Sequence, residues 1–234
     1  MYDENFSNIY FKYGWDKFSI NLGNSIIEFM LDNDKHIKTH LDLACGVGTL
    51  CSILDKENIL TRGVDISESM LEYARENYPH IEFIKSDITK FVPKEKYDLI
   101  TCACDSLNHI KTFEEVKSIL KNVYNSLNDG GYFICDILDD ENLTLNEDII
   151  SKRSEDVYVK YFITKENDDF VNTNIKTYEC DKCIDETNIK EKIYIVDSLI
   201  NYAESLGFTL IKKGPKILES DKPLKDKVYI ILKK

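Results

Sequence analysis

The sequence predicts an α/β protein whose core is a doubly wound, mostly parallel sheet with helices on both faces. Five short apolar runs alternate with segments of helical periodicity between residues 37 and 138, which is typical of βαβ units. Right-handed crossovers make a doubly wound sheet the expected outcome. The polar or glycine-containing turns that follow the runs predict a ligand crevice beyond the carboxyl ends of the strands.

The elements follow in order along the chain. Residues 1–36 combine an aromatic stretch with a helix pattern, and predict an N-terminal helical lid segment. Ser67 is a plausible N-cap, and residues 112–115 fit the capping box that opens a later helix. The five predicted strands lie near residues 40–45, 60–65, 81–84, 97–104 and 132–137, and residues 128–131 are predicted to form the turn that ends the preceding helix.

A different pattern begins after the fifth strand. Runs near residues 157–163, 175–179 and 192–196 alternate polar and apolar residues, with turns expected at 167–169 and 181–188. They predict a small antiparallel β cap inserted over residues 139–196, after a core at residues 37–138. A helix stopped by Gly207 and two terminal strands near 208–212 and 227–232 then complete the core over residues 197–234.

Composition excludes several classes of protein. The chain has 234 residues, with 30 Lys and Arg against 42 Asp and Glu, which gives a net charge of −12. This balance argues against binding nucleic acid over a broad surface and against a polybasic membrane anchor. No apolar run approaches the ~20 residues that span a bilayer, and the first residues do not resemble a signal peptide. Seven cysteines without an export signal indicate reduced thiols in a cytoplasmic protein.

The junction after the first strand carries the first chemical signal. Gly46 and Gly48 allow a tight turn and a close approach of a ligand to the backbone. Asp65 follows 19 residues after Gly46, close to the ~20 expected for a carboxylate that binds ribose hydroxyls. The alternative for Asp65 is a favourable charge at a helix N-terminus.

Two residues bear on which nucleotide binds. Cys51 occupies the position where a dinucleotide-binding turn requires a small residue. Asp42 would repel a pyrophosphate but suits an ammonium or sulfonium cation. Both preferences favour an adenosine ligand without phosphates over a nicotinamide dinucleotide, although an oxidoreductase remains a rival hypothesis.

Five segments resemble the motifs of the class I S-adenosylmethionine-dependent methyltransferases. Residues 41–49 resemble motif I and residues 63–67 the second motif, while residues 86–88, 104–109 and 127–131 are similar to the family's third-strand loop, fourth-strand loop and "L-x-x-G-G" turn. The resemblance implies a Rossmann-like sheet of seven strands with the last strand antiparallel. It also implies that S-adenosylmethionine is the cofactor.

The same resemblance implies a set of cofactor-binding residues. Asp65 would bind the ribose and Ile66 would lie against the adenine, whose amino group would donate to Asp87 while Ile88 packs on its ring. The full set is Asp42, Ala44, Cys45, Gly46, Gly48, Asp65, Ile66, Met70, Asp87, Ile88, Cys104 and Tyr13.

The aromatic segment and the cap look similar to those of small-molecule methyltransferases that act on glycine or amino sugars. By that analogy Tyr10, Tyr13 and Trp15 are candidate lid residues, although each could equally anchor the first helix. A small-molecule acceptor, methylated on N or O by in-line displacement, is therefore expected. His109 is the candidate general base, because its pKa suits proton transfer, but such a base is optional here.

Other readings stay open. Cys180 and Cys183 have metal-ligand spacing, but no second pair follows, so no metal site is expected. The chain could be a regulatory module that binds S-adenosylmethionine without turnover, or a methyltransferase acting on protein or nucleic acid. The identity of the acceptor and the oligomeric state are not encoded in these patterns.

Overall fold

The computed structural model describes residues 16–32, 36–152 and 154–234, and contains one sheet of seven strands and one of four. In chain order its elements are α1 (Lys17–Asp32), β1 (Thr39–Leu43), α2 (Thr49–Asp55), β2 (Leu60–Asp65), α3 (Glu68–Asn77), β3 (Glu82–Lys85), β4 (Tyr97–Cys102), a 3₁₀ turn (Ser106–His109), α4 (Phe113–Ser126), β5 (Leu127–Leu138), β6 (Asp148–Lys152), β7 (Val157–Lys165), β8 (Phe170–Glu179), β9 (Lys182–Lys192), α5 (Val196–Leu206), β10 (Thr209–Gly214) and β11 (Lys227–Lys233).

The large sheet has the strand order β10-β11-β5-β4-β1-β2-β3. Its strands are parallel except β11, which runs antiparallel to both of its neighbours. The expected seven-stranded sheet with an antiparallel last strand is therefore confirmed. The strand order reverses between β1 and β4, so a ligand crevice is expected beyond the carboxyl ends of these two strands.

The predicted helix boundaries have the expected caps. The Ser67 hydroxyl accepts from the backbone N–H of Met70 at 3.5 Å. Thr112 and Glu115 form a reciprocal capping box at the start of α4. Gly207 ends α5 with a φ of 109°, which only glycine adopts without strain.

The prediction that residues 128–131 form a turn between α4 and β5 is wrong. These residues belong to β5, which begins at Leu127 directly after the helix. The backbone of this stretch finds partners on the last strand. Gly130 N–H donates to the Lys234 carbonyl, and Lys234 N–H donates to the Gly131 carbonyl. The strand therefore continues through the two glycines, with a register shift against β4 between Tyr97 and Leu99.

The small sheet has the order β6-β7-β8-β9, all antiparallel. The antiparallel meander is as expected. The predictions of a polar turn at residues 181–188 and of a strand at residues 192–196 are wrong. The turn is confined to Cys180 and Asp181, both with positive φ, and the polar stretch forms β9. An edge strand with one solvated face needs no continuous apolar pattern, which explains why periodicity missed it.

Apolar side chains on both faces of the large sheet form the core. One cluster joins α4 and α5 to the sheet, and a second joins α1 and α2 to the opposite face. In α1, Leu22, Ile26 and Met30 are buried as the helical spacing predicts, while residues 1–15 and 33–35 of the proposed lid segment lie outside the described residues. None of the helices in the described ranges combines the length and apolar character needed to cross a membrane.

Candidate functional site

The loop between β1 and α2 has the backbone shape of a ligand cradle. Ala44, Gly46 and Gly48 all have positive φ, at 61°, 53° and 77°. A Cβ at Gly48 would lie 2.6 Å from Cζ of Phe83, so only glycine fits there. A Cβ at Gly46 would meet nothing within 4 Å, so open space lies directly above this peptide. Cys45, between Ala44 and Gly46, is buried, and this burial is the main cause of its raised thiol pKa.

Asp65 ends β2 beside this loop. Its carboxylate accepts from Gly46 N–H and from Ser67 N–H, each at 2.8 Å, and only 8% of the residue is exposed. Burial raises the pKa of the carboxyl, while these backbone donors oppose the rise. A carboxylate can accept about four hydrogen bonds, so Asp65 retains capacity for ribose hydroxyls.

Asp42 lies within the sheet and not in the loop. It pairs with Thr101 of β4 on one side and with Gly63 of β2 on the other. Its carboxylate accepts from the Thr101 hydroxyl at 2.6 Å, and burial raises its pKa to about 7. The residue is 3% exposed, so it would act on a ligand through its charge more than by direct contact.

The residues expected around the adenine differ in exposure. Ile66 is 53% exposed and free to cover a ring. Met70 and Ile88 are buried at 3% and 9%, Ile88 in the cluster beneath the sheet. Asp87 accepts from the N–H and hydroxyl of Thr89, which lowers its pKa. The roles of all four residues toward adenine remain predictions.

Asp136 of β5 fixes the loop that follows β4. Its Oδ1 accepts from Cys104 N–H at 2.7 Å and its Oδ2 from Asp105 N–H at 2.8 Å. Cys104 and Asp105 both have left-handed backbone conformations, with φ of 58° and 49°, which cost energy in residues other than glycine. The fully buried Asp136 carboxylate therefore holds two residues in unfavourable backbone conformations, at the place where the predicted methyl donor would lie.

A cluster of charged groups lies between this loop and the cap. Nitrogen and carboxylate atoms of Asp105, His109 and Glu191 all lie within 4.8 Å of one another. The Lys227 ammonium forms an ion pair with Asp105, and the Glu191 carboxylate accepts from the Thr173 hydroxyl at 2.8 Å. These atoms suit a metal, but Lys227 already supplies a cation to Asp105.

Burial and mutual charge set the protonation of this cluster. Burial raises the pKa of Glu191, and the nearby Asp105 charge raises it further. For Asp105, burial acts in the same direction, but Lys227 and His109 outweigh it and lower the pKa. His109 is exposed on one side, and desolvation of its ring by neighbouring protein atoms lowers its pKa although the Asp105 charge opposes this, so the ring is mostly neutral at pH 7. The cluster can therefore accept a proton at neutral pH.

Residues 41–131 match the family described as "Methyltransferase domain". An S-adenosylmethionine-dependent methyltransferase of Clostridium acetobutylicum ATCC 824, known from a crystal structure, is 26% identical with a TM-score of 0.78, over 98% of this chain and 97% of that one. Residues 41–131 therefore carry a methyltransferase domain, and the chain has the fold of an S-adenosylmethionine-dependent methyltransferase. The motif-based resemblance and its fold are thereby confirmed.

Two further relatives of this chain are named as amino-sugar methyltransferases. A dTDP-4-amino-2,3,4,6-tetradeoxy-D-glucose N,N-dimethyltransferase of Saccharopolyspora spinosa is 30% identical over 91 residues, 39% of this chain and 36% of that protein. A dTDP-3-amino-3,4,6-trideoxy-alpha-D-glucopyranose N,N-dimethyltransferase of Streptomyces venezuelae is 26% identical over 136 residues, 57% of each. The chain thus spans about a third to just over half of the length of these relatives.

The family's cofactor is S-adenosylmethionine, and the site fits it. The open space above Gly46 and the buried Asp65 lie side by side, and no phosphate-binding cation is among their described contacts. Of the predicted site residues, Tyr13 lies outside the described residues, as do Tyr10 and Trp15.

Sequence reasoning missed Asp136 and Glu191, and it named Asp105 only as part of a loop motif. Asp136 interrupts the apolar run of β5, and Glu191 lies in phase with Thr187 and Ile189 on β9. In both cases the sequence places an acidic residue at a strand position where a buried apolar residue is expected, and this could have identified them.

Proposed function

We propose that the protein transfers a methyl group from S-adenosylmethionine to a small-molecule amine. The observation that carries this proposal is the open cradle above Gly46 with Asp65 hydrogen-bonded to its rim. S-adenosylmethionine supplies a methyl group already activated on a sulfonium sulfur. Displacement therefore needs alignment and exclusion of water more than strong acid or base catalysis.

On the donor side, each residue has a distinct task. Asp65 accepts from the ribose hydroxyls, and Ile66 covers one face of the adenine. Asp87 and Ile88 mark the adenine end, and Ala44, Cys45 and Gly48 shape the backbone around the ligand. Asp42 supplies negative charge that favours a cation, and Cys104 borders the reacting end. Tyr13 is proposed as a cofactor-binding residue from the family resemblance alone.

On the acceptor side, the cluster of Asp105, His109 and Glu191 supports an amine. The ionised Asp105 carboxylate attracts an ammonium group during binding, but nitrogen must be neutral to attack the methyl carbon. The neutral His109 ring takes the proton that the amine loses, either before attack or after the new N–C bond has formed. The amino-sugar relatives support the same acceptor chemistry.

The acceptor enters between the sheet and the cap in this proposal. Asn108 Nδ2 donates to the Lys192 carbonyl, and the Tyr194 hydroxyl donates to the Ile110 carbonyl. Both bonds tie the cap to the loop that carries His109. The cap therefore selects the acceptor, while the large sheet binds the donor. A cytoplasmic location and the absence of a nucleic-acid partner stay predictions from composition.

The decisive experiment compares Gly46→Ala with Gly130→Ala. Both glycines have positive φ, and at both an added Cβ meets nothing within 4 Å, so both variants should lose a similar free energy of unfolding of about 1–2 kcal/mol. Calorimetry with S-adenosylhomocysteine should show weakened binding only for Gly46→Ala. Equal affinity in the two variants would remove the cradle from donor binding.

Turnover is tested separately with a panel of amines and matched alcohols, following S-adenosylhomocysteine release. Methylation of amines alone is the expected result. Tight donor binding without any methyl transfer would instead support a regulatory module.

A further inference from the structure

Three polar side chains form a hydrogen-bonded chain inside the large sheet. His40 and Asp42 lie on the same face of β1, and Thr101 lies opposite Asp42 on β4. His40 Nε2 lies 2.8 Å from Thr101 Oγ1, which lies 2.6 Å from Asp42 Oδ1. His40 and Thr101 are 0% exposed. Buried polar groups on one face of a sheet strand are uncommon and need a physical reason.

The direction of this chain follows from counting hydrogens. The Thr101 hydroxyl has one hydrogen, and Asp42 as a carboxylate can only accept it. His40 must then donate to Thr101 through Nε2–H, which leaves Nδ1 without a hydrogen. Nδ1 has no hydrogen-bond partner among the described residues. If Thr101 instead donated to Nε2, the hydrogen of the neutral ring would be on Nδ1, and this buried N–H would have no acceptor. That arrangement costs more free energy than an Nδ1 without a donor.

Asp42 needs such donors because its surroundings oppose its charge. Asp65 of β2 repels it, and the neighbouring thiols of Cys45, Cys51 and Cys102 remain protonated because burial raises their pKa values. The Cys51 thiol lies 3.9 Å from Asp42 Oδ2. Thr101 is thus the strong donor to this carboxylate, and His40 polarises that hydroxyl.

We propose that His40 is a positioning residue for donor binding, which acts through Thr101 to keep Asp42 ionised and oriented beneath the cation of S-adenosylmethionine. The proposal rests on the proposed function, because it assumes that this donor binds above Asp42. It assigns His40 no contact with the ligand. His40 affects the protonation state of Asp42 before the ligand binds.

The test measures the affinity for S-adenosylmethionine from pH 5.5 to pH 9 by calorimetry. For the wild type, affinity should fall as pH drops through about 7, where Asp42 gains a proton. In Thr101→Val the direct hydrogen bond to the carboxylate is lost, and the midpoint should rise by about 1–2 pH units. Affinity at pH 7 then falls about fivefold or more.

His40 variants separate positioning from packing. His40→Leu should raise the midpoint by about 0.5 pH units and weaken binding about twofold at pH 7, with affinity at pH 9 unchanged. His40→Gln places an amide N–H near the position of Nε2 and should restore the wild-type midpoint. Equal weakening at every pH in His40→Leu, or no rescue by His40→Gln, would overturn the proposal.

A measurement on the ligand-free wild type tests the proposal even if the variants fail to fold. Nitrogen-15 NMR of labelled histidine should show His40 as the neutral Nε2–H tautomer, without titration down to pH 5, because burial lowers its pKa to about 3. A Nδ1–H tautomer would contradict the argument. If S-adenosylmethionine and S-adenosylhomocysteine both fail to bind at any pH, the proposed function fails, whereas binding with an unmoved midpoint refutes only the role of His40.

Discussion

Replacing Asp136 with Asn should disrupt the loop after β4 while leaving the shape of the side chain almost unchanged. The two carboxylate oxygens accept from two consecutive backbone N–H groups at 2.7 Å and 2.8 Å. An amide offers one oxygen and turns an NH₂ group toward the second N–H. One buried N–H therefore loses its partner, and the remaining bond loses its charge.

The magnitude follows from these contacts. A hydrogen bond to a charged group contributes about 1.5–3 kcal/mol, and a buried unsatisfied donor costs about 1–3 kcal/mol. Cys104 and Asp105 would also be free to leave their left-handed conformations, which relieves part of the cost. We expect Asp136→Asn to lower the free energy of unfolding by about 3 kcal/mol, measured by urea denaturation.

Turnover should fall more steeply than donor affinity, since the loop carries Asp105 and His109 on the acceptor side. Asp129→Asn is the matched control, because the Asp129 side chain is 98% exposed and its replacement should change stability by less than about 0.5 kcal/mol. A loss below about 1 kcal/mol in Asp136→Asn would refute the assignment of Asp136 as the residue that holds the loop.

Two further substitutions probe the loops of the site. Gly48→Ala combines a positive φ with a contact of 2.6 Å to Phe83, and should lower the free energy of unfolding by about 2–5 kcal/mol in urea denaturation. The control Gly130→Ala should lower it by about 1–2 kcal/mol. Similar losses in the two variants would show that the Phe83 side chain moves aside without cost. His109→Ala should reduce turnover about 10²-fold or more with unchanged affinity for S-adenosylhomocysteine, and the acid limb of the wild-type pH profile should lie below 6.5, because desolvation of the ring lowers the His109 pKa. A loss of less than about tenfold would assign the proton to solvent or to Glu191.

The sequence was most informative where chemistry depends on local geometry. Gly46, Gly48 and Asp65 could be placed together because a tight turn and a strand end have fixed positions along the chain. The parallel sheet followed from alternating periodicities, and the antiparallel last strand from the family resemblance. These features need no knowledge of distant contacts.

The acceptor side could not be predicted in the same way. Glu191 meets Asp105 because β9 is the edge strand of the cap, and the polar composition of that strand hid its existence. His40 reads as an ordinary residue of a buried strand until the register of β1 and β4 brings Thr101 opposite Asp42. Register between strands far apart in the chain is set by packing and not by local pattern.

Asn108 binds both ends of the inserted cap with a single amide. Its Oδ1 accepts from Leu138 N–H at the end of β5, and its Nδ2 donates to the Lys192 carbonyl at the end of β9. The chain therefore leaves the sheet and returns within the reach of one side chain. An insert with such closely spaced ends can be exchanged as a unit while the strands beneath it stay unchanged, and under the proposed function such an exchange would replace the acceptor pocket.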